Sequence, residues 1–154
     1  MSRQTIVVNG RDLTLQDVLA VTRGDARVAI DPAAMERVVR AREVVDNLIR
    51  EGRPMYGINT GFGRFSEVAI PEDELNLLQV NLIRADAVGV GAPLPREVVR
   101  GMLLLRMNSL LKGLSGVRPV IVETLAAMLN ARVHPVIPEK GSVGSSGDLC
   151  PLAH

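Results

Sequence analysis

Aromatic residues are scarce in this chain of 154 residues, which contains no tryptophan, one tyrosine and two phenylalanines. Its single cysteine, Cys150, excludes an internal disulfide and a metal site built from several cysteines. Two histidines are too few for a histidine-rich zinc site. The net charge of +1, from 18 basic and 17 acidic residues, argues against a polycation that binds nucleic acid.

Long apolar runs are also missing. No segment approaches the roughly 18 consecutive apolar residues of a membrane helix, and the N-terminus lacks the apolar stretch of a signal peptide. We therefore expect a cytoplasmic protein with no membrane partner and no nucleic-acid partner.

What the chain does contain is enough apolar sequence for a core, because 47% of its residues are hydrophobic and 23% are charged. Short β-prone runs predict strands over 5–8 and 27–30. Apolar residues at helical spacing, with capping residues and glycine or proline at the ends, predict a mainly helical fold. The expected helices run from the N-cap Thr14 to near Gly24, then over about 32–52, 71–88, 95–112 and 119–132.

The end of the sequence resembles the beginning of another helix. A proline-, glycine- and serine-rich stretch follows His134, and Asp148 then stands near the N-cap of an apolar segment. The sequence stops before that helix completes two turns, so its apolar face would have nothing to pack against. We expect the 154 residues to be a fragment, an N-terminal portion of a longer protein.

All three aromatic residues lie in or just after the segment YGINTGFG at 56–63, which displays the chain's only phenol, Tyr56. Three glycines in eight residues predict a shaped loop in which the backbone can adopt positive φ. One interpretation is a surface turn anchored by packed Tyr56 and Phe62; another is a functional loop. A dinucleotide-binding loop is disfavoured because the third glycine of that fingerprint is missing.

A second glycine-rich segment, GSVGSSGD at 141–148, allows several interpretations. A phosphate-binding loop is disfavoured because no lysine followed by Ser or Thr comes after it. A hydrolase nucleophile elbow needs G-x-S-x-G, and Gly144-Ser145-Ser146-Gly147 is one residue short. A flexible loop before a helix is the simplest alternative.

Backbone chemistry is a further alternative at this segment. In an X-Ser-Gly triplet the glycine nitrogen can attack the carbonyl carbon of X, which closes an imidazolone with loss of water. Loss of the serine hydroxyl as a second water leaves a conjugated methylidene, a carbon electrophile that no standard side chain provides. Ser145, Ser146 and Gly147 stand in the required order.

Together, the two segments closely resemble the N-terminal signatures of the aromatic amino acid ammonia-lyases, nearest to the histidine ammonia-lyase branch. The resemblance covers nearly the whole chain and is weakest over the first 30 residues. The segments with which it agrees are YGINTGFG (56–63), LLQVNLIRADAVGVGAPLP (77–95), LLLRMNSLLKGLSGVRP (103–119), LNARVHPVIPEKGSVG (129–144) and GSVGSSGDLCPLAH (141–154).

The resemblance implies a fold and a set of site residues. It implies the N-terminal portion of a mainly helical ammonia-lyase fold with short N-terminal strands, and a homotetramer whose active sites are assembled from several subunits. Ser145, Ser146 and Gly147 would form the 4-methylidene-imidazol-5-one group, and no metal would be needed. Tyr56 would be the catalytic tyrosine of a mobile loop, a role for a positioned phenol in proton transfer.

Three departures from the usual family pattern involve four positions. Ser145 stands where alanine is usual, and its side chain would only decorate the ring. Ala85 and Asp86 stand where histidine lyases have Ser-His beside the substrate side chain, and a carboxylate there can pair with an imidazolium or an amine. Cys150 stands where alanine is common and is expected to be a small buried residue. We expect His134 to be structural.

The function implied is elimination of ammonia from an aromatic amino acid, most simply L-histidine to trans-urocanate. This makes the protein a carbon–nitrogen lyase of histidine catabolism, although the fragment alone is expected to be inactive. Its partners would be the amino acid and either further copies of the full-length chain or the remaining C-terminal part. The alternatives are a phenylalanine or tyrosine lyase, a 2,3-aminomutase of the same family, and a non-catalytic fragment or assembly subunit.

Overall fold

Helices make up most of the regular structure in a computed structural model that describes residues 4–144 and 147–154. This confirms the predicted mainly helical class with short strands. None of the helices in the described ranges combines the length and apolar composition that crossing a membrane requires. In chain order the elements are β1 (Thr5–Val8), α1 (Leu15–Thr22), β2 (Arg27–Ile30), α2 (Pro32–Arg50), α3 (Leu75–Asp86), β3 (Val90–Pro93), α4 (Arg96–Leu110), α5 (Pro119–Ala131), β4 (Pro138–Lys140) and α6 (Leu149–Ala153).

The chain divides into two units that are each discontinuous in sequence. The first comprises Met1–Val44 and Leu94–Pro135, and the second comprises Val45–Pro93 and Val136–His154. Because both units are built from two separate stretches, no proline- or serine-rich linker marks their limits, and the sequence alone did not predict the division.

In the first unit, β1 and β2 pair in parallel over their full length, from Thr5 opposite Arg27 to Val8 opposite Ile30. The predicted N-cap is confirmed: the Thr14 hydroxyl accepts a hydrogen bond from the Asp17 amide at 3.2 Å, and the Asp17 carboxylate accepts one from the Thr14 amide at 3.0 Å. This reciprocal capping box satisfies backbone donors that a helix start otherwise leaves unpaired.

Helix α4 is the centre of the first unit, where it packs against α1 and α5, and α5 packs against β2. Its apolar residues are not buried on all sides. The side chain of Leu105 is 52% exposed, because it lies opposite the face that contacts α1 and α5. The buried face of α4 consists of Val99, Arg100, Leu103, Leu104, Met107 and Leu110.

One charged side chain lies inside this apolar packing. Arg100 is 1% exposed, and its guanidinium donates to the carbonyl oxygens of Val21 at 2.8 Å and Leu129 at 3.1 Å. The Asp25 carboxylate lies 3.7 Å from its Nε and compensates the charge. Since Val21 is in α1 and Leu129 is in α5, Arg100 connects the two helices that flank α4.

His134 has the structural role expected for it. Its Nε2 lies 3.1 Å from Nη1 of Arg100, a donor, so Nε2 is the acceptor and the imidazole is neutral. Burial and then the positive charge of Arg100 lower the pKa of His134 below its ordinary value, which favours the same neutral form.

In the second unit, the acidic residues Glu72, Asp73 and Glu74 form a 3₁₀ turn directly before α3. This places negative charge at the helix start, where the helix dipole favours it, but α3 itself ends at Asp86 instead of Val88. Strands β3 and β4 were not predicted. They pair antiparallel with an irregular register, Val90 opposite Lys140 and Pro93 opposite Pro138.

The buried guanidinium gives a stability prediction. Arg100→Met should lower the free energy of unfolding by about 3–5 kcal/mol, because it leaves the buried carbonyls of Val21 and Leu129 without their donor and removes one of the three guanidinium groups that pair with Asp25. The matched control is Arg40→Met. Arg40 is exposed and pairs with Glu36 at 3.6 Å, so its loss should cost at most about 0.5 kcal/mol. Urea denaturation of both variants measures the difference; equal costs would contradict a structural role for Arg100.

Candidate active site

The second unit contains every candidate site residue that the structure describes, namely Tyr56, Ala85, Asp86 and Gly147. Ser145 and Ser146 lie outside the described residues. The candidate site therefore comprises three segments: the loop around Tyr56, the end of α3, and the segment that leads from β4 into α6.

Asn59 organises the loop around Tyr56. Its side chain is 8% exposed, and Oδ1 accepts a hydrogen bond from the Met55 amide at 2.7 Å while Nδ2 donates to the Arg53 carbonyl at 2.9 Å. A buried amide side chain that bonds two backbone groups at the start of a turn holds that turn in one shape. Sequence analysis missed this residue, although an asparagine between glycines is a signal for such a turn.

The other side of the loop is closed by backbone hydrogen bonds. The Gly61 amide donates to the Val68 carbonyl at 3.0 Å, and the Ile70 amide donates to the Asn59 carbonyl at 2.9 Å. Together with an isolated bridge between Thr60 and Ala69, these bonds close residues 59–70 on themselves. The scaffold of the loop is thus formed by its own backbone.

The Tyr56 side chain lies on the surface of this loop and does not pack beneath it. Its side chain is 65% exposed, and its ring meets Phe62 edge to face with centroids 5.8 Å apart and planes at 75°. The interpretation in which Tyr56 is a packed anchor is therefore wrong for this chain. The edge-to-face contact orients the phenol and leaves its hydroxyl accessible.

The end of α3 presents Ala85 and Asp86 immediately before a tight turn. Asp86 is half-buried and is the last residue of the helix, and its carbonyl accepts a hydrogen bond from the Val88 amide at 2.8 Å. Ala87 between them has φ −76° and ψ 61°, the angles of an inverse γ-turn. The side chain of Asp86 makes no hydrogen bond within the described part of the chain.

Five residues fasten this turn to the segment after β4, and we call them the glycine junction: Gly89, Pro138, Gly141, Cys150 and His154. The Gly89 amide donates to Nε2 of His154 at 2.9 Å. Cys150 is 7% exposed, as expected for a small buried residue. The role of His154, the last residue, could not be judged from the sequence.

The segment that contains the triplet is closed at its base. The Ser142 hydroxyl donates to Oδ1 of Asp148, which joins the two sides of residues 143–147. Asp148 precedes α6 as predicted, but its side chain makes no cap on that helix. A second inverse γ-turn is centred on Asp148, with φ −74° and ψ 67° and a hydrogen bond of 2.7 Å from the Leu149 amide to the Gly147 carbonyl.

Gly147 fits the chemistry expected of the third residue of the triplet. It has φ +76°, a conformation that side chains disfavour, and no atom lies within 4 Å of the position that a Cβ would occupy. A glycine adopts this conformation without strain, and its nitrogen has no Cβ beside it.

The described residues bring two of the three segments together. The glycine junction joins the end of α3 to residues 138–154, whereas none of the hydrogen bonds or ring contacts of the described residues joins Tyr56 to either. No group of three or more His, Cys, Asp or Glu in the described ranges is arranged to hold a metal ion.

The fold is shared with solved ammonia-lyases and aminomutases. Histidine ammonia-lyase from Trypanosoma cruzi superposes with a TM-score of 0.88 at 40% identity, over 98% of this chain and 28% of that one. Tyrosine aminomutase from Streptomyces globisporus superposes with a TM-score of 0.91 at 35% identity, over 97% of this chain and 28% of that one. The architecture is therefore that of the N-terminal part of this helical fold.

The sequence agrees with the fold. The family model for aromatic amino acid lyases matches residues 13–154, so the chain belongs to the aromatic amino acid lyase family. Among curated relatives, histidine ammonia-lyase from Alkaliphilus metalliredigens is 58% identical over 149 residues, and that from Caldanaerobacter subterraneus is 53% identical over 149 residues. Each match covers 97% of this chain, which spans 29% of the length of either relative.

Proposed function

We propose that residues 1–154 are the N-terminal region of a longer enzyme that eliminates ammonia from L-histidine to give trans-urocanate. The observation that supports this most strongly is the identity of 58% and 53%, over 97% of the chain, with relatives named histidine ammonia-lyase. The comparison with tyrosine aminomutase rests on a lower identity of 35%. Because the chain spans 29% of those relatives, the activity belongs to the full-length enzyme, and the fragment alone is inactive.

The proposed cofactor is 4-methylidene-imidazol-5-one, formed from Ser145, Ser146 and Gly147 without a metal. Support comes from residues on either side of the two serines. The hydrogen bond from Ser142 to Asp148 joins the two ends of the segment, and Gly147 has the positive φ of +76° that favours glycine. When formed, this group supplies a carbon electrophile for the amine of the substrate, which is otherwise a poor leaving group.

Tyr56 is the proposed catalytic base. Elimination also requires removal of a weakly acidic proton from the β-carbon of the substrate, and an accessible phenol oxygen can accept it. The loop closed by Asn59 holds this phenol in one place while 65% of its side chain stays exposed. An exposed phenol is available to substrate.

Ala85 and Asp86 are the proposed contacts to the substrate side chain. The half-buried carboxylate of Asp86 at the end of α3 accepts hydrogen bonds from an imidazole N–H and attracts an imidazolium. Ala85 is small and leaves space beside it. Where histidine lyases usually have Ser-His, this chain has a carboxylate whose acceptor oxygens are complementary to the N–H groups of a substrate imidazole.

The proposed assembly is a cytoplasmic homotetramer in which several subunits contribute to each active site. Its support within this chain is that no hydrogen bond or ring contact of the described residues joins Tyr56 to the segment that contains Gly147. Groups that act on one substrate but are not held together within a chain can meet across a subunit interface.

Substrate specificity is the first test. Full-length enzyme incubated with L-histidine should produce the ultraviolet absorbance of the conjugated acid, and L-phenylalanine and L-tyrosine should give little or none. Intact mass of the same preparation should be lower than the sequence mass by two waters. If only phenylalanine or tyrosine gives product, the enzyme is a lyase for that amino acid and the histidine proposal is wrong. If a β-amino acid forms without conjugated product, the enzyme is an aminomutase. Full mass and no turnover would favour an assembly subunit.

The two serines of the triplet should behave differently. Ser146→Ala removes the hydroxyl whose loss creates the methylidene, so the second water should stay in the mass and turnover should vanish. Ser145→Ala changes only a substituent of the ring and is the matched control, with activity expected within about threefold of the parent enzyme. Intact mass and ultraviolet turnover measure both. Equal losses at the two serines would exclude this order of ring formation.

The phenol can be tested without altering the loop. Tyr56→Phe in the full-length enzyme keeps the ring contact with Phe62 and removes only the hydroxyl. Turnover should fall by about 10² to 10⁴, the usual effect of a positioned acid or base, while the mass deficit of two waters remains. Steady-state kinetics and intact mass report the two quantities separately. A fall of less than about tenfold would show that Tyr56 contributes packing only.

A further inference from the structure

Gly89 is enclosed so closely that no side chain fits there. A Cβ at this position would lie 2.9 Å from Nε2 of His154 and 3.0 Å from Cβ and Cγ of Pro138. Gly89 directly follows the γ-turn of residues 86–88 at the end of α3. Pro138 belongs to β4, and His154 directly follows α6. One glycine thus brings the end of α3 into contact with both elements that flank the triplet segment.

Gly141 makes a second approach of the same kind. A Cβ at Gly141 would overlap Sγ of Cys150 and would lie 3.3 Å from the Cα of Gly89. The backbone at Gly141, where the chain leaves β4 toward the triplet, is therefore packed between α6 and the α3 turn. Contacts below about 3.4 Å to backbone or short side chains allow little sliding, because dense packing leaves no space into which the chain can move.

His154 provides the directed polar link in this junction. Its Nε2 accepts the hydrogen bond from the Gly89 amide at 2.9 Å. Van der Waals contacts limit how near two segments come, whereas a hydrogen bond also specifies their orientation. The Gly89 amide is half-buried, and loss of its acceptor would leave it unsatisfied.

We propose that His154 is a positioning residue. Through its hydrogen bond with the Gly89 amide, it sets the position of Asp86 relative to the triplet segment. It thereby sets the distance between the group that recognises the substrate side chain and the group that captures the substrate amine. This inference rests on the proposed function of Asp86 and of residues 145–147. Only two residues separate Asp86 from Gly89, so a shift of Gly89 is transmitted through the γ-turn at Ala87.

The matched variants are His154→Met and His154→Gln in the full-length enzyme. The two new side chains have nearly the same length and shape, but only glutamine offers an oxygen acceptor to the Gly89 amide. For His154→Met we expect KM for L-histidine to rise about tenfold with a smaller change in kcat, the effect of one lost hydrogen bond on substrate placement. For His154→Gln we expect KM within about threefold of the parent enzyme.

Hydrogen exchange provides a readout that does not depend on turnover. In His154→Met, amides of the peptide over residues 84–93 should exchange about tenfold faster than in the parent enzyme, while His154→Gln should retain most of the protection. Intact mass should show the loss of two waters in all three proteins, since the junction lies outside the triplet. A residue with only a structural role would lower stability and active fraction in both variants and leave KM unchanged.

The outcomes separate this inference from the function on which it rests. Faster exchange and a raised KM in His154→Met, with rescue by His154→Gln, support positioning. Indistinguishable exchange or KM in the two variants overturns it. If the parent enzyme turns over no amino acid, the proposed function fails, and the exchange data alone then decide whether His154 fixes the turn.

A size exchange tests the second contact of the junction. Gly141→Ala should raise KM because its Cβ meets Sγ of Cys150, and adding Cys150→Ala removes that sulfur and should restore KM toward the parent value. Cys150→Ala alone is the control and should change KM by less than about twofold. Additive effects of the two substitutions would show that this contact does not set the geometry.

Discussion

Close backbone approach at Gly89 and Gly141 is the constraint on which the second unit depends. Side chains at these positions would overlap Pro138, Cys150 and His154, so the absence of two Cβ atoms allows three elements to meet. The gain from such contacts is collective, because each pair of atoms contributes little and tight interdigitation contributes much. The pairing of β3 with β4 and the contact of α6 with α3 follow from the same approach.

The first unit uses a different device to fix its helices. A buried guanidinium is expensive to desolvate, yet Arg100 has hydrogen-bond partners in α1 and α5 and a countercharge in Asp25. Such a group tolerates few alternative packings, since any shift leaves a charge or a carbonyl unsatisfied. The polar contacts of Arg100 thus fix the helix packing of the first unit, whereas close backbone approach at glycines fixes the packing of the second.

Helices and the N-terminal strands could be predicted because their signals are local. Thr14 and Asp17 form a capping box that is visible in the sequence, and the β1 and β2 runs are short, apolar and β-branched. Strands β3 and β4 could not be predicted, because Gly91, Pro93 and Pro138 are typical of turns and their pairing depends on the junction. Non-local packing overrode local propensity at these strands.

In the candidate site, too, local features could be predicted from the sequence and non-local contacts could not. The chemistry of Tyr56 and of the Ser-Ser-Gly triplet could be inferred from residue types and order, because a phenol and an X-Ser-Gly backbone have properties that do not depend on the fold. The partners that hold these groups, Asn59 for the loop and His154 for the α3 turn, act on backbone amides far along the chain or across a turn. A sequence does not reveal which amide a side chain will meet, so positioning residues are harder to predict than reacting ones.

The described site residues lie in irregular backbone or at the end of a helix that leads into it, and regular elements supply the support. Asp86 and Gly147 each border an inverse γ-turn, centred on Ala87 and Asp148, and Tyr56 lies in a loop closed by its own backbone bonds. Turns of this kind expose polar groups at an angle that a helix or strand cannot provide. Their shape is retained only if neighbouring elements restrain them, which here are α3, β4 and α6. The precision of the site therefore depends on contacts made by residues that take no part in the chemistry.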